Sequence, residues 1–391
     1  MPKVLVTDAQ IRNSLAIIRS LGKRGLEVTG AEETRFATSF FSRYCRRRII
    51  YPSPYKRPEE FANYLLDVIR RDKYEVIFPV TDATVMPVAR NKEKFSKYTL
   101  VPIPDYEVLM KAMDKAQTIE IAQQNGIAAP ETLRIDSSEE VEAIKDKLRF
   151  PVVIKPRIGF GARGLTLCRS PEELISAYPE VVATYGNCLV QEYIPPGGEE
   201  LGVYVLLNRN SELRAVTVQK RLRSYPVSGG PSTLRETVSR PELIEVALRL
   251  LKALQWSGAA MVEFKTDPRD NQPKLMEVNP RWWGSLQLSI LAGVDFPYLL
   301  YKLATEGDIE PVLDYKTGVK CRWLLPGDIL WFLSADHKMR NLTKFLKFEP
   351  NDDIISWQDP GPTFGFFLAS LRFAFNKEMW RFVLRKPVRS K

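Results

Sequence analysis

Histidine is almost absent from this chain of 391 residues, in which His337 is the only one. This scarcity argues against a Ser-His-Asp triad and against histidine-rich metal chemistry, because both depend on imidazole groups. Cysteine is also scarce, and none of the four residues forms a C-x-x-C pair: Cys45, Cys168, Cys188 and Cys321. We therefore expect neither a zinc site nor a disulfide framework.

Long hydrophobic runs are missing as well. No stretch approaches the ~20 apolar residues of a membrane-spanning helix, and Met1–Asp8 lacks the apolar core of a signal peptide. With 45% hydrophobic and 27% charged residues, the composition is that of a globular protein. The length suggests roughly two or three domains, and we expect a cytoplasmic protein with reduced cysteines.

The charge balance is basic, with a formal net charge of +10. Arg43 and Arg46–Arg48 form a cluster that could be a nucleic-acid patch or, as is more common, a solvated face or a contact with a neighbouring domain. Only Tyr44 and Tyr51 are available nearby for stacking on bases. We expect no nucleic-acid partner.

The first part of the chain alternates between strand and helix patterns. Lys3–Thr7 and Leu26–Gly30 are short apolar strands, and Ser14–Leu21 between them has apolar residues at helical spacing. Such a unit predicts a parallel sheet. The first turn, Thr7–Gln10, contains no glycine, so it is not a dinucleotide-binding fingerprint.

Polar residues occupy alternate positions in the stretch Met276–Trp283, which reads M-E-V-N-P-R-W-W. In extended chain Glu277, Asn279 and Arg281 would point to one face. Oxygen ligands beside a guanidinium suit a divalent metal on a phosphate chain, because Mg2+ takes one or two carboxylates together with substrate phosphates. The alternative is a strand end with polar residues that merely face water.

A second carboxylate, Glu263, lies in another apolar run, and the strong turn signal Asp267–Pro273 separates it from Glu277. Two strands joined by that turn form a hairpin that could bring Glu263 and Glu277 side by side. Facing carboxylates repel each other, and a shared cation removes that cost.

Two lysines and a glycine-rich loop also suggest an anionic ligand. Lys115 stands near the start of a helix, and Lys155 closes the buried strand Pro151–Pro156. The loop Gly159–Gly164 matches G-x-G-x-x-G, but a strand follows it where a dinucleotide site needs a helix. A hairpin tip of this kind can lay backbone N–H groups over phosphates, and an ordinary flexible hairpin is the alternative.

These motifs occur in the order found in ATP-grasp enzymes: Asp114-Lys115, Val153–Pro156, Gly159–Gly164, Gln191–Ile194, Glu263 and Glu277–Arg281. The chain resembles the carboxylate–amine ligase branch of that superfamily, and is similar to one synthetase unit of the carbamoyl phosphate synthetase large chain and to biotin carboxylase. The resemblance covers about residues 1–300. The E-V-N-P-R motif with its upstream glutamate is the most specific part.

The resemblance implies a mixed α/β and α+β architecture. A pre-ATP-grasp domain with a parallel sheet would span residues 1–110, and the ATP-grasp domain would span residues 111–306, with a lid lobe over about 117–190. A C-terminal extension would span residues 307–391. ATP would lie between two α+β lobes.

The resemblance also implies a nucleotide site made of Lys115, Lys155, Gly159, Gly161, Gly164, Glu192, Tyr193, Ile194, Glu200 and Met276. The two lysines would contact phosphates, and backbone groups of Tyr193 or Ile194 would pair with adenine. Glu200 would hold the ribose, with Glu199 as the alternative.

For catalysis the resemblance implies Arg281, Lys155 and Arg223, and for metal binding Glu263, Glu277 and Asn279. Arg281 would face the transferred phosphate, and Arg223 with Gly229-Gly230 would bind the acceptor carboxylate. The cofactors would be ATP and Mg2+, with two ions and substitution by Mn2+ as further expectations.

The implied function is an ADP-forming ligase that activates a carboxylate as an acyl phosphate for attack by an amine or ammonia. Two alternatives stay open: phosphotransfer of the carbamoyl phosphate synthetase kind, and a nucleotide-binding protein without catalysis. The partners would be small molecules, and a homodimer is a further alternative.

The last block, Phe364–Lys391, carries seven basic residues and one acidic residue. Phe364, Phe367, Leu368, Leu371 and Phe375 follow helical spacing. Packing of this stripe on the core is one interpretation. The other is peripheral docking on an anionic membrane at the cytoplasmic face.

Overall fold

Three β-sheets organise the part of the chain that the computed structural model describes, which is residues 1–159, 164–227, 229–347 and 349–374. One sheet is parallel and two are antiparallel. This mixture of α/β and α+β layers is the fold class that the sequence predicted.

The N-terminal sheet has the strand order β3-β2-β1-β4, and all of its pairs are parallel. Its strands are β1 (Lys3–Val6), β2 (Glu27–Glu32), β3 (Cys45–Ile50) and β4 (Val76–Phe78). The helices around it are α1 (Arg12–Lys23), α2 (Pro58–Asp72), α3 (Asp82–Arg90), α4 (Lys92–Ser96) and α5 (Tyr106–Met113). The apolar face of α1 is buried, so the predicted β-α-β unit is confirmed. Arg46–Arg48 are exposed on the edge strand β3, as expected for a solvated face.

The second sheet is antiparallel and has the order β5-β8-β6-β7. Its strands are β5 (Thr132–Arg134), β6 (Val152–Pro156), β7 (Thr166–Cys168) and β8 (Cys188–Glu192). Its neighbours in the chain are the helices α6 (Lys115–Gln124), α7 (Ser138–Ile144) and α8 (Pro171–Tyr185). The strand–loop–strand prediction for the glycine-rich segment is confirmed, because β6 and β7 pair antiparallel on either side of it.

The third sheet has six strands in the order β13-β12-β9-β10-β11-β14. They are β9 (Glu200–Leu207), β10 (Leu213–Ser224), β11 (Ser232–Thr237), β12 (Gly258–Thr266), β13 (Pro273–Asn279) and β14 (Lys320–Arg322). The accompanying helices are α9 (Pro241–Ala253), α10 (Leu286–Leu291) and α11 (Phe296–Glu306). A large apolar cluster joins α9 to strands β9, β10, β12 and β13 and holds this sheet in place.

The described residues between 320 and 374 are built into the rest of the molecule. Strand β14 forms the edge of the six-stranded sheet, and it is followed by α12 (Ile329–Ser334), α13 (Lys338–Leu346) and α14 (Gly361–Ala374). Arg19 of α1 donates from Nε to Asp359 at 2.9 Å and from Nη2 to the carbonyl of Ile354 at 2.8 Å. Both side chains of the Arg19–Asp359 pair are buried, so this ion pair fixes the C-terminal residues on the N-terminal sheet.

Helix α14 does not bury the aromatic stripe that the sequence suggested. Phe364, Phe367 and Leu371 are 60%, 53% and 62% exposed. Burial of these three side chains in the core is therefore wrong as a prediction, although the ring of Phe364 makes an edge-to-face contact with Phe41. Leu368 is half-buried, and Phe375 lies outside the described residues. The helix buries its small-residue face instead, because a Cβ at Gly365 would lie 2.4 Å from Cδ2 of Phe41. Among the described residues, no helix is both long and apolar enough to cross a membrane.

Candidate nucleotide and metal site

A cavity of about 400 Å³ lies between the sheet of β5–β8 and the six-stranded sheet. This volume falls within the range of small-molecule sites. Its polar lining combines cationic and acidic side chains: Arg12, Lys115, Lys155, Arg221, Lys265, Arg281, Glu192, Glu200, Glu263 and Glu277. Tyr193, Ile194, Met276 and Asn279 line it as well. The cavity thus collects most of the residues that the sequence assigned to a nucleotide and its metal.

Glu263 of β12 and Glu277 of β13 are direct partners in the antiparallel ladder. Next to the turn Phe264 pairs with Leu275, and an irregularity of the ladder between Glu263 and Phe264 then places Glu263 opposite Glu277. The predicted hairpin and the pairing of its carboxylates are confirmed. Their side chains are 18% and 28% exposed, towards the cavity. Carboxylates that face each other at this depth repel, and cations must compensate them.

Two cations of the protein lie on this carboxylate pair. Nη2 of Arg221 is 2.5 Å from Glu263, and Nζ of Lys115 is 3.4 Å from Glu277. Burial raises the pKa of Glu263, against the opposing effect of Arg221. Burial also acts to raise the pKa of Glu277, but Lys115, Asn279 and Lys155 together hold that pKa below its ordinary value.

The amide of Asn279 connects the carboxylates to Arg281. Its Nδ2 donates to Glu263 at 3.1 Å and to Glu277 at 3.0 Å, whereas its Oδ1 accepts from Arg281 at 2.9 Å. Asn279 therefore offers N–H groups on the side where a metal is expected. Its assignment as an oxygen ligand stays a prediction that requires a rotation of the amide by about 180°.

Arg281 is held in place from the N-terminal sheet. Its Nε donates to Asp82, the first residue of α3, at 2.9 Å. The Nη1 group donates to the carbonyl of Trp282 at 3.1 Å. These contacts fix the orientation of the guanidinium in the cavity. They replace the support of a strand, since β13 ends at Asn279, two residues before Arg281.

The two predicted lysines approach the cavity from different elements. Lys115 begins α6 and donates to the carbonyl of Gly159 at 2.9 Å. Lys155 lies on β6, and its Nζ donates to the side-chain oxygen of Gln191 on β8. Burial lowers the pKa of Lys155 to about 8, although Glu277 acts in the opposite direction. A lysine that is costly to keep charged in the free protein is a good candidate for an anion contact.

The glycine-rich segment is described only at its ends. Gly159 lines the cavity, whereas Gly164 does not. Gly164 has a φ of +74°, and a Cβ there would lie 2.7 Å from Cγ of Pro156, so only glycine fits without strain. Gly161 lies outside the described residues, and its assignment to the nucleotide stays a prediction.

Backbone groups after β8 match the predicted adenine end. The Tyr193 N–H donates to Pro151 at 3.2 Å, and the Ile194 carbonyl accepts from Lys265 at 2.8 Å. Among the described residues, no hydrogen bond engages the Tyr193 carbonyl or the Ile194 N–H. This acceptor and donor are free to pair with a purine edge. Glu192 lines the cavity too, but Arg269 and Lys274 hold its carboxylate.

The geometry separates the two glutamates considered for the ribose. Glu199 binds Lys220 at 2.5 Å and Arg240 at 2.7 Å and is not part of the cavity lining. Glu200 lines the cavity and lies 3.6 Å from Arg221. The arrangement therefore favours Glu200.

Arg223 is not brought together with the other predicted residues. It donates to Asp328 at 2.7 Å and to the carbonyl of Lys344 at 2.6 Å, and it stacks on Trp331. The β10–β11 ladder is irregular here: Arg221 faces Arg235, whereas Arg223 faces Leu234. The irregularity turns Arg223 to the opposite side of the sheet from Arg221. Arg221 is therefore the arginine of this strand that lines the cavity. The sequence interpretation missed this residue.

The acidic residues of the cavity fit a Mg2+ ion. Glu263 and Glu277 supply two hard oxygen ligands, the number that a protein usually gives to Mg2+ beside substrate phosphates and water. No cluster of three or more His, Cys, Asp or Glu residues suited to a metal occurs among the residues that the structure describes. The site is therefore one that a phosphate-bearing ligand would have to complete.

The three sheets and the cavity between two of them define an ATP-grasp fold. Residues 185–325 match the sequence profile of a family described as "ATP-grasp in the biosynthetic pathway with Ter operon". These residues include β8 to β14 and the paired carboxylates. The match supports the ATP-grasp part of the resemblance over these residues.

Solved structures show the same fold at low sequence identity. Biotin carboxylase from Campylobacter jejuni is similar with a TM-score of 0.71 and 16% identity, over 82% of this chain and 74% of that one. N5-carboxyaminoimidazole synthetase from Staphylococcus aureus is similar with a TM-score of 0.64 and 17% identity, over 82% of this chain and 80% of that one. L-amino acid ligase from Bacillus licheniformis is similar with a TM-score of 0.62 and 18% identity, over 80% of this chain and 78% of that one.

Proposed function

We propose that this protein is an ATP- and Mg2+-dependent ligase that activates a carboxylate as an acyl phosphate and transfers the acyl group to an amine or a similar nucleophile. The observation that carries the proposal is the facing pair Glu263 and Glu277, which shares one cavity with Lys115, Lys155 and Arg281. A protein that only needed a stable sheet would gain nothing from two carboxylates placed against each other.

Each of these residues has a role that its position supports. Glu263 and Glu277 would hold Mg2+, which when bound neutralises charge on the phosphates. Lys115 and Lys155 would bind phosphate oxygens. Arg281, oriented by Asp82, would hold the phosphoryl group during transfer. Phosphoryl transfer depends mainly on positioning and charge neutralisation, so no histidine base is required.

The reaction has two steps. A carboxylate oxygen of the acceptor attacks the γ-phosphorus of ATP, and ADP leaves with the electron pair of the broken P–O bond. The nitrogen of an amine then attacks the acyl carbon, phosphate leaves, and the amine gives up a proton to solvent. Enclosure between the two sheets would keep water away from the reactive acyl phosphate. The ligase and carboxylase names of the similar structures support a reaction of this class.

Hydroxylamine trapping tests the proposal. The protein is incubated with Mg2+, ATP, hydroxylamine and pools of carboxylates, and we expect at least one pool to give a hydroxamate together with ADP and phosphate. Formation of AMP and pyrophosphate would instead show adenylation and refute the acyl phosphate. Carbamoyl phosphate from bicarbonate and ammonia would identify the alternative phosphotransfer reaction.

A further inference from the structure

Arg12 enters the cavity from outside both of the sheets that enclose it. It is the first residue of α1 in the N-terminal part of the chain, it lines the cavity, and it is 9% exposed. Its guanidinium carbon lies 3.8 Å above the ring of Trp323. A Cβ at Gly284 would lie 2.8 Å from Nη2 and 3.1 Å from Nε, so the Nε–Nη2 edge faces Gly284.

The Nε–Nη2 edge of Arg12 carries N–H donors without a hydrogen-bond partner among the described residues. Nη1 and Nη2 donate to the carbonyl of Ser232 at 3.2 and 3.3 Å, and Nη1 lies 3.2 Å from Asp353. A guanidinium has five N–H groups. The Nε–H and one Nη2–H have no partner among the described residues. These two form the parallel fork that binds a carboxylate or a phosphate in bidentate fashion.

Behind Arg12 lies a buried excess of positive charge. Asp353 pairs with both Arg12 and Arg235, and Asp353 and Arg235 are each only 1% exposed. Nε and Nη1 of Arg235 have no hydrogen-bond partner in the described structure. Two guanidinium groups thus share the one carboxylate that pairs with them directly, while the neighbouring Asp352 acts on both without an ion-pair contact. Burying an incompletely compensated charge is costly. An anion on the open edge of Arg12 would relieve this cost.

The charge excess continues along the sheet but is separate from Arg281. Arg235 is the direct ladder partner of Arg221, whose guanidinium lines the cavity beside Glu263. Arg281 is held elsewhere, by Asp82 and Asn279. Three guanidinium groups therefore line the cavity, with Arg221 and Arg281 near the metal carboxylates and Arg12 apart from them.

We propose that Arg12 binds a second acidic group of the acceptor, distinct from the carboxylate that is phosphorylated, so that the substrate is a molecule with two anionic groups. Asp353 and Trp323 act as positioning residues that fix the fork. The second group is a carboxylate or a phosphate, which share this recognition chemistry. The inference rests on the proposed ligase function and names its class of acceptor.

Calorimetry on the full-length protein tests this site. The protein is saturated with Mg2+ and a non-hydrolysable ATP analogue, and is then titrated with succinate, with its monoamide succinamate and, in a separate arm, with inorganic phosphate. We expect saturable binding of succinate or phosphate. Succinamate should bind at least about tenfold more weakly than succinate if the second group is a carboxylate, which is the loss expected for a charge-assisted hydrogen bond.

Two variants locate the binding on Arg12. Arg12→Gln removes the charge, and Gly284→Ala places a methyl group against the Nε–Nη2 edge while it keeps every charge. Each should weaken binding of the anion at least about tenfold, with unchanged affinity for the ATP analogue. Arg24→Gln, at the exposed end of the same helix, is the matched control and should bind as the wild type does.

The outcomes separate this inference from the ligase proposal. If the nucleotide-loaded wild type binds neither succinate nor phosphate, the proposal of a second acidic group is refuted. The same holds if both variants preserve the binding. In either case the ligase proposal is unaffected. Failure of the ATP analogue to bind refutes the ligase proposal. The anion titrations are then made on the nucleotide-free protein, where loss of binding in Gly284→Ala still supports the Arg12 site and retained binding overturns it.

Discussion

Nζ of Lys115 lies 3.4 Å from Oε2 of Glu277, so a lysine expected to bind phosphate pairs with a carboxylate expected to bind metal. Arg221 holds Glu263 in the same way. In the free protein these cations compensate the two carboxylates. Binding of a nucleotide with its metal would replace both ion pairs, because the metal takes the carboxylates and Lys115 becomes available to the phosphates.

The first prediction concerns the metal carboxylates. Glu277→Gln should reduce ATP turnover at least about 100-fold, because it removes one of the two charged ligands expected to hold the Mg2+ that neutralises the phosphates, while it keeps the side-chain shape. Turnover is measured as ADP release with saturating Mg2+ once an acceptor is found. Glu245→Gln on the exposed face of α9 is the control. Wild-type turnover by Glu277→Gln would remove this residue from the site.

The second prediction concerns Lys155. Lys155→Met should weaken binding of an ATP analogue by about 1.5–3 kcal/mol, the contribution of a charge-assisted contact. Lys252→Met, which changes an exposed lysine on α9, should bind as the wild type does. Equal calorimetric affinities for the two variants would show that Lys155 does not contact the nucleotide.

The third prediction is a pH dependence of that binding. Burial lowers the pKa of Lys155 to about 8 in the free protein, so a growing fraction of the lysine is neutral above that pH. An anionic ligand favours the charged form and raises the pKa. Nucleotide binding should therefore take up a proton above pH ~8, and affinity should fall there by up to about tenfold per pH unit. Calorimetry in buffers of different ionisation enthalpy measures the uptake, which Lys155→Met should abolish.

The fourth prediction concerns the attachment of the C-terminal residues. Asp359→Ala should lower the free energy of unfolding by about 3–5 kcal/mol, because it leaves the buried charge of Arg19 without its partner. Asp359 also accepts hydrogen bonds from Ser42 and from the N–H of Arg43. Thermal and chemical denaturation measure the change against the exposed control Asp314→Ala. An unchanged melting temperature would show that the pair does not hold these segments together.

The fifth prediction concerns the exposed side chains of α14. Phe364, Phe367 and Leu371 are exposed on its surface, and the sequence that follows this helix is strongly basic. We expect the protein to co-sediment with anionic vesicles at low salt and less so at high salt, since each basic residue contributes about 1 kcal/mol near such a surface. Replacement of all three by serine should reduce binding without unfolding the protein. Wild-type protein that stays in the supernatant at low salt excludes membrane docking.

The local parts of the site could be predicted because short-range signals determine them. The turn Asp267–Pro273 joins two apolar runs, so the hairpin that brings Glu263 near Glu277 could be predicted. Their direct pairing also needs the irregularity of the ladder between Glu263 and Phe264, which no local signal displays. The antiparallel strands around the glycine-rich loop follow from the missing helix signal in the same way. In both cases the residues that interact are close in sequence.

The remaining parts depend on contacts that the sequence does not display. Alternation puts Arg221 and Arg223 on one face, and only the irregular ladder with β11 reverses Arg223. Helix α14 buries a face of small residues because Phe41, more than 300 positions away, fits against Gly365. The contribution of Arg12 requires Ser232, Gly284 and Asp353 to meet, and no local pattern indicates that meeting.

The hydrogen bond between Asp82 and Arg281 has a consequence for protein engineering and for the divergence of proteins with this fold. Asp82 belongs to the N-terminal segment and Arg281 to the segment that carries the paired carboxylates, so the two segments are not interchangeable modules. A chimera that takes its first segment from a relative without an acidic residue at this position would leave Arg281 unanchored. Recombination between relatives should therefore succeed only where both partners of this contact are inherited together.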